Sequence, residues 1–380
     1  MELSRMLKFP SAFTFPNARC RRMVASPGQC LPQMKPSRIT FSDRKSGLRP
    51  LANGTHLLKA VQIQHQRQVQ HEAAEPVIAK KNDVLWRFLR PFALYTASTQ
   101  FFCVLARRLV ENPHTLQSLN WSMCIKILAA LTSLVCTYFF TSGVNQISDI
   151  ETDKINKPDL PLSSGELSVE SAWAIVMGFV AVSLIAARTL YSKSFLVSIF
   201  CLLLVGGAYS IPPFRTKAST MGAPITIALM KGFVDFFAIF AGAGAVLGLP
   251  FQMSLPMVYM SIFTTLFGLG NGILKDISDM DGDRKNNIPT LATIIGAKKT
   301  LIIGTGIHIL NHFGCALAAI IRPEAIKCSI VVPVHILSAF YLISQAWKMH
   351  RLNYESAQSR KLYTSLWFVY VVQYVLLPFI

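Results

Sequence analysis

The sequence predicts an all-α membrane protein. It should hold about nine transmembrane helices in one bundle, as two four-helix pseudo-repeats plus a ninth helix. Three observations predict this. Hydrophobic residues fill 52% of the 380 positions and charged residues only 15%, against about 25% charged in a soluble domain. Nine long apolar runs follow one another after residue 84. Of the 14 acids beyond that point, eight fall in two short windows, 149–159 and 276–283. A chain that avoids acids elsewhere but concentrates them twice is neither an ordinary soluble enzyme nor a disordered polymer.

The N-terminal segment comes first. Residues 1–50 carry ten basic residues and two acids, Glu2 and Asp43, with Ser and Pro scattered through and no continuous apolar core. That composition suits an organelle transit peptide, with a disordered cytosolic tail as the alternative. The stretch 62–75, QIQHQRQVQHEAAE, reads as a polar linker. The expected division is therefore 1–83 as organelle transit peptide and linker, which the family resemblance given below makes a plastid one, and 84–380 as the membrane domain. Composition alone does not separate plastid from mitochondrion.

The runs then follow in order: about 85–106, 120–143, 168–187, 194–213, 223–247, 254–274, 300–321, 328–346 and 362–379. Each approaches the roughly 20 residues needed to cross a hydrocarbon core of about 30 Å. Backbone groups in lipid must be satisfied internally, so such runs form helices, and they are too long and too continuously apolar for barrel strands. Counting parity places the connections 144–167, 214–222, 275–299 and 347–361 on one side of the membrane. Both acidic windows and the Arg215/Lys217 loop therefore share a face. Most loop cations lie there too, whereas Arg107, Arg108, Arg188, Lys193, Arg322 and Lys327 take the other side. The positive-inside bias makes the acidic face the cytoplasm-like one, the stromal face in a plastid. The net charge of +18 thus reads as membrane topology rather than nucleic-acid binding. The eight cysteines include no C-x-x-C pair and lie mostly in apolar runs, which argues against zinc or a disulfide framework.

The first window contains Asn145, Asp149 and Asp153, four residues apart. On a helix they would share one face, and Pro158 would end it. Like charges so placed repel unless a cation sits between them. Oxygen ligands for Mg²⁺ are the functional reading, since that ion draws its remaining ligands from water and substrate phosphates. A solvated loop that ends a helix is the bland one. The second window holds Asp276, Asp279, Asp281 and Asp283. Aligning the two gives D-x-[E/D]-x-D-[K/R]-x-N in both, with Lys154 and Asn156 matched to Arg284 and Asn286. Each window follows the second span of its half, which predicts an internal repeat. An EF-hand fails because Gly282 comes too early and no Glu occupies the twelfth position. Arg215 and Lys217 are candidate diphosphate clamps or plain topological anchors. Lys231 and Asp235, within a span, are expected to pair inside the bundle. His308, His312 and His335 lack ligand spacing and are expected as packed polar residues.

With those residues in hand, the first window, Asn145-Gln146-x-x-Asp149-x-x-x-Asp153, resembles the N-Q-x-x-D-x-x-x-D motif of the UbiA superfamily of intramembrane prenyltransferases. The second, Lys275-Asp276-Ile-x-Asp279-x-Asp281-Gly-Asp283, resembles the K-D-[I/L]-x-D-x-[E/D]-G-D motif of its plant aromatic branch. The resemblance covers about 85–380. It implies a plastid enzyme that moves a prenyl group, dimethylallyl or geranyl, from an allylic diphosphate donor to a ring carbon of a phenolic acceptor such as a coumarin, flavonoid or phloroglucinol. It implies two Mg²⁺ ions, with Asn145, Asp149 and Asp153 as ligands of one and Asp279 and Asp283 of the other. The resemblance also implies that Asp149, Asp153, Asp279 and Asp283 carry the catalytic role. Substrate contacts are implied for Asn145, Gln146, Lys154, Tyr209, Ser210, Arg215, Lys217, Lys275, Asp276 and Arg284. One departure favours a polyphenol acceptor: homogentisate enzymes usually carry R-P-H-T where this chain has Arg90-Pro91-Phe92-Ala93. A homogentisate-type enzyme is the alternative within the family. A polytopic transporter is the alternative outside it, but its acids would be expected near the bilayer midplane.

Overall fold

The computed structural model describes residues 77–380 apart from Pro91 and Leu119. The transit-peptide and linker expectation, and Cys20 and Cys30 with it, fall almost wholly outside the described residues. From Asp83 onward the chain forms one compact unit. Its helices are α1 (Val77–Leu89), α2 (Phe92–Glu111), α3 (Trp121–Ser148), α4 (Ile150–Asn156), α5 (Val169–Thr189), α6 (Lys193–Ser210), α7 (Gly222–Leu229), α8 (Phe236–Leu247), α9 (Leu255–Leu274), α10 (Asp276–Lys285), α11 (Leu291–Ile295), α12 (Ala297–Ile321), α13 (Cys328–Arg351) and α14 (Ser356–Leu376). A π-helical turn, Met230–Asp235, joins α7 to α8. There is no strand among the described residues.

Eight of these elements are long and apolar enough to cross a membrane, counting 222–247 as one. The ninth long helix is α2, whose 20 residues match the length a span requires. The expected first span is corrected here. A single helix over 85–106 does not form: α1 ends at Leu89, Arg90 has φ 51°, and a new helix starts after Pro91, because proline disfavours helical conformation in the residue before it. Phe101, Phe195, Phe236, Phe240, Phe263, Phe267, Tyr370 and Tyr374 are fully buried and fill the bundle. Apolar side chains also cover its outside. Met177, Val182 and Ile185 on α5, and Leu310, Phe313 and Leu317 on α12, are exposed, as lipid-facing residues should be. Between α3 and α5 the Ser183 hydroxyl bonds to those of Ser133 and Thr137, in the way polar groups join helices in lipid.

The two ends of the bundle differ chemically. At one end Arg108 donates to the carbonyls of Gln252 and Pro250 and lies over the Phe240 ring. Arg107 meets the last residue, Ile380. The acidic windows and the Arg215/Lys217 loop lie together at the other end, bound to one another by ion pairs. That is the grouping that parity along the chain requires.

Candidate active site

The site is built where two long helices each give way to a short one. Helix α3 stops at Ser148. Asp149 leaves helical geometry (φ −113°, ψ 14°), and α4 restarts at Ile150. Helix α4 ends at Asn156 because Lys157 precedes Pro158. In the second half α9 runs through Lys275, which keeps helical dihedrals, into α10. Long helix followed by short acidic helix is thus the repeated unit. The expectation that Asn145, Asp149 and Asp153 lie on one uninterrupted helix face is corrected: the helix breaks at the middle one.

The short helices α4 and α10 pack on each other, and Asn156 locks them. Its amide donates to the Asp279 carbonyl at 3.0 Å, and its side-chain oxygen accepts from the Gly282 N–H at 3.0 Å. Lys157 bridges the windows, with Nζ 3.1 Å from Asp153 Oδ1 and 3.4 Å from the Asp279 carboxylate. Lys217 reaches in from the 211–221 loop, 2.7 Å from Asp149 Oδ1, and also donates to Ser148 Oγ. Arg215, in left-handed conformation at φ 33°, donates to the Ser148 carbonyl at 3.3 Å. Lys275 pairs with the buried Asp276 at 2.7 Å. Asn145 donates to Ser210 Oγ at 3.5 Å, and Tyr209 lies within electrostatic reach of Lys275, Asp276 and Asp149. A surface cavity of about 500 Å³ opens beside the site, lined by Ser148, Glu151, Arg215 and Asn286 among others.

Burial sets the protonation of the carboxylates here more than their neighbours do. Burial, with Asp149 nearby, holds the Asp153 carboxyl above its ordinary range although Lys157 pulls the other way. Burial and the neighbouring Asp279 push Asp283 up to about 7. Burial lowers Lys217 to about 8 despite Asp149. A cluster of hard carboxylate oxygens, buried at Asp153 and Asp283 and partly buried at Asp149 and Asp279, suits a dication such as Mg²⁺. Among the described residues no three His, Cys, Asp or Glu side chains converge on a single point. An ion here would therefore need further oxygens from a ligand, as Mg²⁺ usually does.

Not every expected residue joins this cluster. Lys154 pairs with exposed Glu151 and faces outward. Arg284 is exposed on α10. Gln146 donates to the Phe88 carbonyl at 2.7 Å and so fastens α1 to α3. Lys157 and Asn156 were not singled out as site residues. Their signal was present: Lys157 follows Asp153 by four positions, and Asn156 recurs in the window alignment. Deeper in the bundle, Lys231 pairs with Asp235 at 2.9 Å, and Tyr138 donates to the same carboxylate. Two of the three histidines are packed and bonded: His312 and His335 share a hydrogen bond of 2.8 Å between their Nδ1 atoms, and His335 bonds to Tyr259, whereas His308 packs edge-on to Phe267 with neither ring nitrogen bonded among the described residues.

A bundle of long apolar helices with a carboxylate-rich, lysine-lined end face defines a polytopic helical membrane protein. Residues 112–369 match the UbiA prenyltransferase family. The chain belongs to that family, in the branch of plant aromatic prenyltransferases. It is 37% identical over 299 residues to the probable homogentisate phytyltransferase 2 of Oryza sativa subsp. japonica, covering 78% of each chain. It is 36% identical over 312 residues to the homogentisate solanesyltransferase of Arabidopsis thaliana, covering 81% of this chain and 80% of that one. It is 35% identical over 298 residues to a 2-acylphloroglucinol 4-prenyltransferase of Humulus lupulus, covering 78% of this chain and 71% of that one. The fold matches a solved UbiA homologue of Archaeoglobus fulgidus, bound to GPP and Mg²⁺, with a TM-score of 0.54 at 18% identity over 78% of this chain and 100% of that one.

Proposed function

We propose that the protein transfers a prenyl group, dimethylallyl or geranyl, from an allylic diphosphate to a ring carbon of a plant phenolic in a Mg²⁺-dependent reaction. The phenolic would be of the coumarin, flavonoid or phloroglucinol kind. The observation that carries this reading is the bridge from Asp153 to Asp279 through Lys157, which joins two windows far apart in sequence into one polar surface. The plastid membrane is the proposed location, since the rice and Arabidopsis relatives are named chloroplastic, with the site on the stromal face.

Asp149, Asp153, Asp279 and Asp283, with Asn145, are the proposed metal-holding groups. Mg²⁺, when bound, supplies charge stabilisation for the departing diphosphate. Lys157, Lys217, Lys275 and Arg215 bind the diphosphate oxygens and hold the donor so that its C1–O bond points into the bundle. Apolar helices keep water from the allylic cation. The acceptor ring carbon bonds to C1, the C1–O bond breaks, and the ring C–H proton leaves with the diphosphate, which restores aromaticity.

Homogentisate is the second reading for the acceptor, favoured by the 37% and 36% identities to homogentisate enzymes. Family membership sets the transporter reading aside. The test is a matrix of dimethylallyl, geranyl and phytyl diphosphates against homogentisate, coumarin, flavonoid and acylphloroglucinol acceptors in washed membranes, with and without EDTA. A C-prenylated phenolic formed only with free Mg²⁺ supports the proposal. Turnover undiminished in EDTA, or diphosphate release with no prenylated product for any pair, overturns it.

A further inference from the structure

We infer that Lys231, framed by Asp235, Tyr138 and Trp367 inside the bundle, anchors the aromatic acceptor. Its ammonium binds an acidic oxygen of the acceptor, a phenolate or a carboxylate, while the acceptor ring lies against the Tyr138 and Trp367 faces. This rests on the transferase reading above.

An ionised pair within a transmembrane helix is costly and is by default a functional feature. Lys231 and Asp235 both lie in the π-helical turn that interrupts the 222–247 span, and π turns recur at functional sites. The two charges are not equally sealed. The Asp235 side chain is 1% exposed and that of Lys231 16% exposed. Asp235 is fully engaged, one oxygen accepting from Lys231 and the other from Tyr138. Among the described residues Lys231 has that single hydrogen-bond acceptor, and its ammonium otherwise lies 5.1 Å from the Tyr138 ring centre and 5.8 Å from that of Trp367. An ammonium with donors to spare between two aromatic faces suits a flat ring that bears an oxyanion. Gln100 extends the frame by donating to the Tyr370 hydroxyl at 2.6 Å.

The depth suits the reaction. Tyr138 precedes Asn145 by seven residues on α3, which places it roughly 10 Å below the acidic face at a helical rise of about 1.5 Å per residue. A diphosphate bound at the acidic face would take up the upper part of that distance. The reacting carbons then need a separation of roughly 3–3.5 Å. An acceptor held by its oxygen at Lys231 has its ring between that oxygen and the donor, so that a ring carbon faces the allylic C1.

The experiment compares wild type with the double variant Lys231→Met/Asp235→Asn, which removes both charges and leaves none unpaired. Acceptor KM, donor KM and binding of a thiolodiphosphate donor analogue are measured in purified full-length protein. The expected result is an acceptor KM raised at least about tenfold, with donor KM and analogue affinity within about twofold of wild type. Methylating the acidic oxygen of the acceptor should weaken wild-type binding by a similar factor and leave the variant indifferent. Phenol ethers against the methyl ester of homogentisate tell whether the oxygen is a phenolate or a carboxylate. Trp367→Leu, which keeps the ion pair, should raise acceptor KM in the same direction and serves if the double variant does not accumulate. An unchanged acceptor KM in the variants, or a parallel loss of donor-analogue binding, overturns the inference. Failure of the transferase reading would show separately, as wild-type protein that does not bind the donor analogue.

Discussion

Asp149 and Asp279 meet lysine charges directly, and each contributes a carboxylate to the proposed ion sites. Asp149→Ala and Asp279→Ala should each lower turnover by about 100-fold or more, as expected for loss of a group that stabilises the leaving charge. The protein should still accumulate in membranes, which immunoblotting alongside the assay checks. Asp283 supports a pH prediction. Its carboxyl is raised to about 7 by burial and Asp279, so it holds a proton below that pH and is ionised above it. A dication binds the ionised form and must displace the proton below pH 7. Half-saturating Mg²⁺ should therefore be about tenfold higher at pH 6 than at pH 8, and Asp283→Asn should flatten that profile. Lys157 links the two windows. Lys157→Gln should raise donor KM more than it changes acceptor KM, because the group it would bind is diphosphate.

Packing of the short helices decides whether the windows meet at all. A Cβ on Gly282 would come within 2.4–2.6 Å of the Asn156 amide, the group that ties α4 to α10. Gly282→Ala should therefore push the two helices apart and cut activity more than it lowers thermal stability. Asn156→Ala removes the two hydrogen bonds and should act in the same direction, each bond being worth about 1 kcal/mol. Gly232 sits in the π turn, where a Cβ would fall 1.7 Å from Thr265 Oγ1. Here α9 and the 222–247 span touch backbone to side chain, so Gly232→Ala should reduce accumulation as well as activity, measured by yield and detergent-melting temperature. At this scale the sequence was only partly readable. The repeat of acidic windows was visible as a spacing of residues. The helix break at Asp149 was not, because a four-residue spacing of polar groups is the same whether the helix continues or restarts. The break between α1 and α2 was signalled by Pro91, but the apolar residues on both sides outweighed it in a reading based on run length.

The whole bundle should remain with membranes after an alkaline carbonate wash, since its outer face is apolar along α5, α12 and α13. Its two ends carry different chemistry, and that division was legible in advance. Parity along alternating spans assigns every loop to a side without knowledge of packing, so Asp149, Asp279 and Lys217 could be placed on one face from order alone. The sequence by itself therefore determined the fold class and which loops meet at the acidic end, because lipid thickness and backbone hydrogen bonding leave a long apolar run almost no other structure, and the two acidic motifs carried the family. Only the tertiary structure decided which cations serve which carboxylates. It put Lys157 between the windows, turned Lys154 and Arg284 outward, and set Lys231 against Tyr138 and Trp367. Those outcomes depend on how helices distant in sequence rotate against one another, and rotation is fixed by close packing across the bundle rather than by the order of residues in any one helix.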